Sequence, residues 1–314
     1  MQEAGLIRRR LETRETKGYN LCRLRSINYL LIKMIPPKIY GLIGYPVKHS
    51  LSPNMYNAAF GALKINAEYR LFPLQEDELK GFFADLKKNN IFGLNVTIPY
   101  KEKVITLLND ISPEAKLIGA VNTIRFGQNR LEGFNTDGAG FLQHLTQDIR
   151  FIPASKNIAM IGAGGAARAV SVYLSKEKPK SLFIYDVDKS KAGTLVSYLK
   201  GHFANIEFRH ADSIEELNIE KCDLLINATP IGMKETDVCL VDKELIHKDL
   251  LVYDLIYNPK ETKLLKVAEE KGVLISNGLG MLLYQGVLSF EIFTGKPAPI
   301  EIMRQALNEA VNKL

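Results

Sequence analysis

Asn157-Ile158-Ala159-Met160-Ile161-Gly162-Ala163-Gly164-Gly165-Ala166-Ala167 runs an apolar pentapeptide into a glycine-rich turn and then into alanines. The pentapeptide has the length and apolarity of a buried strand, and the alanines open a helix expected over 166–176. Between them the turn fits GxGxxA, a pattern that gains meaning when it joins a strand to a helix. Gly162 permits the tight turn, Gly164 lets the backbone approach a pyrophosphate, and Ala167 is small enough for the helix to pack on the strand. A pyrophosphate there meets free N–H groups and the positive end of the helix dipole, which makes Gly162, Ala163, Gly164, Gly165 and Ala166 the cofactor-binding candidates. The plainer reading is an ordinary glycine-rich turn with no ligand.

The next strand, expected over 181–186, ends in Asp186. It stands roughly 20 residues beyond the turn, the distance at which dinucleotide folds place the acid that binds the adenosine ribose. A carboxylate there accepts the ribose hydroxyls of NAD and repels the 2′-phosphate of NADP. Asp188 adds to the repulsion, and Lys189 and Lys191 are the only nearby cations. NAD is therefore expected in preference to NADP, unless Asp186 is a solvated loop acid or a helix cap, which leaves the choice open. Further strands are expected over 205–209, 223–227 and 251–254, completing a nucleotide-binding sheet.

Upstream, strands are expected over 38–44, 67–72 and 91–97 and helices over 52–63 and 76–89, with Ser52 as N-cap and Pro53 at the first helical position. Two C-terminal helices, 281–294 and 299–314, have no strand of their own to cover and are expected to return to this first domain. The fold class is α/β: a small substrate-binding domain over 34–136, a Rossmann-type dinucleotide domain over 137–277 and returning helices over 278–314, with a cleft between the domains. A chain of 314 residues suits two cores.

Apolar residues make up 46% of the chain and charged residues 24%, and no apolar run approaches the roughly 18 residues of a membrane span. The net charge of +6 is concentrated at one end: residues 1–33 carry +5 and residues 34–314 only +1. A nearly neutral body argues against a nucleic-acid partner, which would need clustered cations on the folded domain. Residues 1–33 read as a sorting leader, a nucleic-acid arm or sequence upstream of a true start at Met34, the last being favoured. Their short apolar stretch, Tyr29-Leu30-Leu31-Ile32, does not make a secretory core, so a cytoplasmic location is expected. Cys22, Cys222 and Cys239 are scattered, and the five histidines form no HxxxH pair, so neither a disulfide framework nor a metal site is expected.

Outside the nucleotide sheet, Ser50 and Ser52 flank a helix start, a fair cradle for a carboxylate. Lys101 follows the strand of Asn95-Val96-Thr97-Ile98-Pro99-Tyr100-Lys101, at the edge where open α/β sheets bind ligands. Alone, Ser52 reads as a cap and Lys101 as a solvated lysine. In order along the chain, however, come HSLSP at 49–53, NVTIPYK at 95–101, GAVNT at 119–123, NTDG at 135–138, GAGGAAR at 162–168, NATPIGM at 227–233 and GLGMLLYQ at 278–285. This series resembles the shikimate dehydrogenase family from about residue 38 to the C-terminus.

The resemblance implies hydride transfer between a nicotinamide cofactor and shikimate in chorismate and aromatic amino acid biosynthesis. It places Ser50, Ser52 and Tyr257 on the substrate carboxylate. Thr97, Lys101, Asn122, Asp137 and Gln285 fall on the ring hydroxyls, with Lys101 and Asp137 as catalytic pair, and Leu255 and Gly278 near the nicotinamide. Without it, Asn122 and Gln285 read as ordinary amides and Tyr257 as core. Two positions depart from the pattern: Tyr56 stands where the family often has histidine, and Asp186-Val187-Asp188 replaces the Asn-Arg-Thr of NADP-using members. The second departure looks like the NAD-using quinate/shikimate branch, so quinate is an alternative or additional substrate. A non-catalytic nicotinamide-binding regulator is a further alternative, opposed by the presence of both Lys101 and Asp137. Monomer and homodimer are both left open.

Overall fold

The computed structural model describes residues 36–313, so the basic segment 1–33, Cys22 and Met34 lie outside the described residues. From Lys38 onward the described residues form one compact unit built on two six-stranded sheets.

The first sheet contains β1 (Lys38–Gly44), β2 (Ala67–Pro73), β3 (Ile91–Val96), β4 (Asp110–Ile111), β5 (Thr123–Gly127) and β6 (Arg130–Phe134), in the order β2-β1-β3-β5-β6-β4. β1 runs parallel to β2 and β3, whereas β5 is antiparallel to β3 and to β6. The β5–β6 hairpin is an addition to the strands expected from the sequence. Its turn is Gln128-Asn129, both at positive φ, instead of the Asn-Gly pair that usually announces such a turn.

The second sheet contains β7 (Asn157–Ile161), β8 (Ser181–Tyr185), β9 (Glu207–Ala211), β10 (Leu224–Asn227), β11 (Leu251–Asp254) and β12 (Leu274–Ser276), all parallel. Its order, β12-β11-β10-β7-β8-β9, is that of a doubly wound dinucleotide fold, with the switch point between β7 and β10. Ile158 and Met160 face one buried cluster and Ala159 and Ile161 another, so these strands read as continuous apolar runs.

Nine α-helices lie among the described residues: α1 (Ser52–Ala62), α2 (Leu79–Ala84), α3 (Pro113–Ile118), α4 (Asp137–Gln143), α5 (Gly165–Lys176), α6 (Lys189–His202), α7 (Lys263–Glu270), α8 (Leu279–Thr294) and α9 (Ile300–Val311). The helix expected over 76–89 is shorter than its pattern. A 3-10 turn at Glu76–Glu78, closed by a Gln75/Glu78 capping box, precedes α2, and the chain then turns to Asn90 at φ 55°. α8 and α9 pack with α1 on the first sheet through Leu283, Val287, Phe290, Phe293, Met303 and Leu307. Met281, at the start of α8, belongs to the core of the second sheet, so this helix spans both halves.

Candidate active site

Register places the cofactor-binding candidates on one edge. Ile161 pairs with Tyr185 and Asn227, and Asn227 with Asp254, so Gly162, Asp186, Ala228 and Leu255 emerge side by side. Gly162 has φ 110°, and a Cβ there would stand 2.9 Å from the Ala228 carbonyl group, so only glycine suits this turn. At Gly164 and Gly165 a Cβ would meet nothing within 4 Å. α5 begins there with no side-chain cap on its N–H groups. An open, uncapped helix start over small residues fits a pyrophosphate.

Asp186 reaches across this turn: its Oδ2 accepts the Ala163 N–H at 2.7 Å, and its Oδ1 accepts the Asp188 N–H at 2.9 Å. The carboxylate is thus tied to the glycine-rich loop. Asp188 caps α6, accepting from Ser190 and Lys191, while the Lys189 ammonium lies 3.0 Å from Asp212. Gly278 packs directly on the Leu255 carbonyl, closer than any side chain would permit, and donates its N–H to Ile256 at 3.0 Å. Leu255 and Gly278 therefore form one surface, although they are distant in sequence.

The first sheet presents a matching edge. Ile43 pairs with Val96 and Thr123 with Phe134, and Val96 N–H donates to Asn122 while Asn122 N–H donates to Phe134. This brings Thr97, Asn122 and the chain leading to Asp137 together. Thr97 N–H donates to Ile43 at 2.9 Å, and Tyr100, only 2% exposed, donates its hydroxyl to Leu74 at 2.8 Å. Lys101 therefore extends from an anchored loop.

Lys101 Nζ meets Asp137 Oδ2 at 2.6 Å, with side chains 18% and 8% exposed. Asp137 opens α4, where the helix dipole favours an anion. Asn122 donates to Asp137 Oδ1 at 2.8 Å and to the Thr136 hydroxyl at 2.9 Å, and accepts the Thr136 N–H at 2.8 Å. α4 approaches its neighbours through two glycines. A Cβ on Gly138 would strike Tyr173 and Ala169 of α5, and one on Gly140 would strike the Gln285 backbone of α8. These glycines hold Asp137 against the nucleotide half and bring Gln285 close, a packing role that the NTDG motif does not disclose by itself.

Ser50 Oγ lies 3.2 Å from Ser52 Oγ and accepts the Ser52 N–H at 3.3 Å. The N-cap expected at Ser52 is not formed: Leu51 occupies the cap position and α1 has no side-chain cap. The Ser52 hydroxyl instead pairs with that of Ser50. Tyr257 packs half-buried against the same core as Leu51, and burial raises its pKa, so its phenol stays a neutral donor. Gln285 donates to Leu282 of its own helix at 2.7 Å. Tyr56 is fully buried and stacked on Tyr69, with ring centres 4.2 Å apart.

One buried acid escaped the sequence reading. Asp254, 0% exposed at the end of β11, accepts from Asn227, Ile256 and Thr262. Burial raises its pKa, and its bonds hold the loops on either side of Leu255. Its position at the end of an apolar strand was the available signal. Among the described residues no cluster of His, Cys, Asp or Glu could hold a metal ion, and no helix is long and apolar enough to cross a membrane.

Two adjoining edges, one shaped for a dinucleotide and one carrying a buried amine–acid pair, define a nicotinamide-type oxidoreductase. Residues 42–124 match the family model for the shikimate dehydrogenase substrate binding domain, and residues 278–307 that for the shikimate 5'-dehydrogenase C-terminal domain. The shikimate dehydrogenase (NADP(+)) of Methanopyrus kandleri is 45% identical over 276 residues, covering 86% of this chain and 95% of the relative. Among solved structures, a shikimate dehydrogenase in complex with NADP+ superposes with a TM-score of 0.81 at 39% identity, covering 88% of this chain and 96% of that one. Shikimate 5-dehydrogenase from Listeria monocytogenes, in complex with shikimate and NAD, gives 0.79 at 33% identity, covering 86% and 96%. The chain belongs to the shikimate dehydrogenase family. The Methanopyrus relative is named for NADP and the first of these structures binds it, so they do not support the preference for NAD expected from Asp186.

Proposed function

We propose that this protein is a shikimate dehydrogenase that interconverts shikimate and 3-dehydroshikimate in the route to chorismate. The observation that supports it most directly is the Lys101–Asp137 pair, 2.6 Å apart and largely buried at the edge of the first sheet. When bound, the dinucleotide accepts or returns the hydride. Loss of hydride from an alcohol carbon requires loss of the hydroxyl proton, and Lys101 Nζ exchanges that proton while Asp137 anchors the hydroxyl. Ser50, Ser52 and Tyr257 bind the substrate carboxylate, and Thr97, Asn122 and Gln285 hold the ring hydroxyls, each offering the donors or acceptors the task needs. Gly162 to Ala166 hold the pyrophosphate, and Leu255 and Gly278 face the nicotinamide.

The finer reading is that NAD is used in preference to NADP. Support comes from the Asp186 carboxylate fixed over the glycine-rich loop and from Asp188 beside it, both repelling a 2′-phosphate. Initial rates with shikimate or quinate, each with NAD or NADP, test both readings together. Fastest turnover with shikimate and NAD is expected. No turnover of either acid would remove the enzyme reading, and a higher kcat/KM with NADP would remove the cofactor reading alone.

A further inference from the structure

Ser289 lies on α8, one turn beyond Gln285, and is 0% exposed. A buried helical serine ordinarily returns its hydroxyl to the carbonyl four residues back, and Ser289 Oγ does lie 2.8 Å from the Gln285 carbonyl. Three further polar groups crowd the same oxygen. Thr123 Oγ1 of β5 is 2.7 Å away, Thr136 Oγ1 3.0 Å and Asn95 Nδ2 of β3 3.1 Å. A hydroxyl has one proton and two lone pairs, so most of these contacts are donations to it or alternatives for its proton.

One assignment lets the Ser289, Thr123 and Thr136 hydroxyls each donate once. Ser289 donates to Thr123, Thr123 to Asn122 Oδ1 at 2.9 Å, Asn122 Nδ2 to Thr136 Oγ1 at 2.9 Å, and Thr136 back to Ser289. This is a closed ring in which each bond polarises the next. Its one exit is the second N–H of Asn122, directed at Asp137 Oδ1. The opposite carboxylate oxygen faces Lys101. Asn95, which accepts the Tyr69 hydroxyl at 2.8 Å, feeds the ring from the side of the serine cradle. Ser289 thereby joins the helix carrying Gln285 to the amide that grips Asp137.

We propose that Ser289 is a positioning residue for the reaction, setting the orientation of the Asp137 carboxylate through Thr123, Asn122 and Thr136. This rests on the dehydrogenase reading above and adds a residue that touches neither substrate nor cofactor. The loss of one such bond weakens the reacting arrangement by about tenfold in turnover.

The test is a set of double-mutant cycles on the full chain, with shikimate and dinucleotide, thermal unfolding being followed in parallel. Ser289→Ala is expected to lower kcat about tenfold with KM for shikimate changed far less, and to have no further effect in an Asp137→Asn background. Thr123→Val, which exchanges the relay hydroxyl for a methyl of like size, is expected to behave the same way and decides the matter if the serine variant does not fold. Unchanged kcat, or an equal loss in both backgrounds, would overturn the proposal and leave the ring a matter of stability. A wild-type chain that turns over no shikimate would instead sink the functional reading itself.

Discussion

The two edges that meet in this molecule are built from different material. On the second sheet the edge is made of backbone: Gly164 to Ala166 at the start of α5 are contiguous, uncapped and open, while Gly162 donates its N–H to Tyr185 and one side chain, Asp186, is tied to Ala163 beside them. On the first sheet the edge is made of side chains drawn from positions 50 to 289, nearly all already engaged with one another. The first kind of edge accepts a ligand by leaving N–H groups free; the second fixes the direction in which each donor and acceptor points. Changes on the backbone edge should therefore alter which dinucleotide binds, whereas changes on the side-chain edge should alter turnover.

The largest effect expected from this contrast is at Lys101. Lys101→Ala removes the proposed proton-transfer group and should lower kcat by about a thousandfold, while KM for shikimate changes much less because the proposed carboxylate cradle and hydroxyl partners remain. Steady-state kinetics in the oxidative direction measure it. A variant with near-normal kcat would break the contrast, since the side-chain edge would then bind without doing chemistry.

A smaller change is expected on the other edge. Asp186→Ser removes the carboxylate proposed to bind the ribose and repel a 2′-phosphate, and should shift the ratio of kcat/KM for NAD over NADP toward NADP by about tenfold to a hundredfold, with shikimate KM unaffected. Loss of the Ala163 tie also frees the loop, so some fall with both dinucleotides accompanies the shift. An unchanged ratio would show that Asp186 serves the loop alone.

The same contrast explains what could be read from the chain. Asn157 to Asp186 revealed its fold because strand, turn, helix and ribose acid follow one another within a single βαβ unit, and β7 and β11 took the expected bounds. Lys101, Asn122, Asp137 and Gln285 come together only through strand register and helix packing, so each alone resembled a solvated or core residue. They became readable through the ordered motifs that signal family membership. Ser289 stayed invisible because a serine in an apolar helix has no local signature, and Asp254 was marked only by its place at the end of an apolar strand, which does not disclose its buried bonds. The glycines of α4 are visible in sequence, but their reason, the nearness of Ala169 and Gln285, exists only in three dimensions.

Where the two halves adjoin, the contrast can be sharpened by a small effect of pH. His144, in the π-helical turn His144–Asp148 that follows α4, places Nδ1 2.7 Å from the Tyr253 hydroxyl of β11 and Nε2 4.0 Å from Asp148. Asp148 in turn accepts from Tyr284 of α8 and Arg304 of α9, so one cluster joins both sheets' supporting helices. Burial lowers the His144 pKa below its ordinary 6.5, with Asp148 opposing and Arg304 reinforcing the shift. The unfolded chain therefore takes up a proton near pH 6.5 that the folded chain refuses until lower pH, and stability falls as pH drops through that interval. Burial pushes Asp148 up, but bonds from Tyr284 and Arg304 outweigh it, so its own contribution is lost only below pH 3.8 and does not enter the same window. His144→Asn keeps a polar partner for Tyr253 without the titration, and its melting temperature should fall less than that of the wild type between pH 7.5 and 5.5 (roughly the interval around an ordinary histidine pKa). Parallel curves for the two proteins would show that the histidine is not the titrating element of this seam.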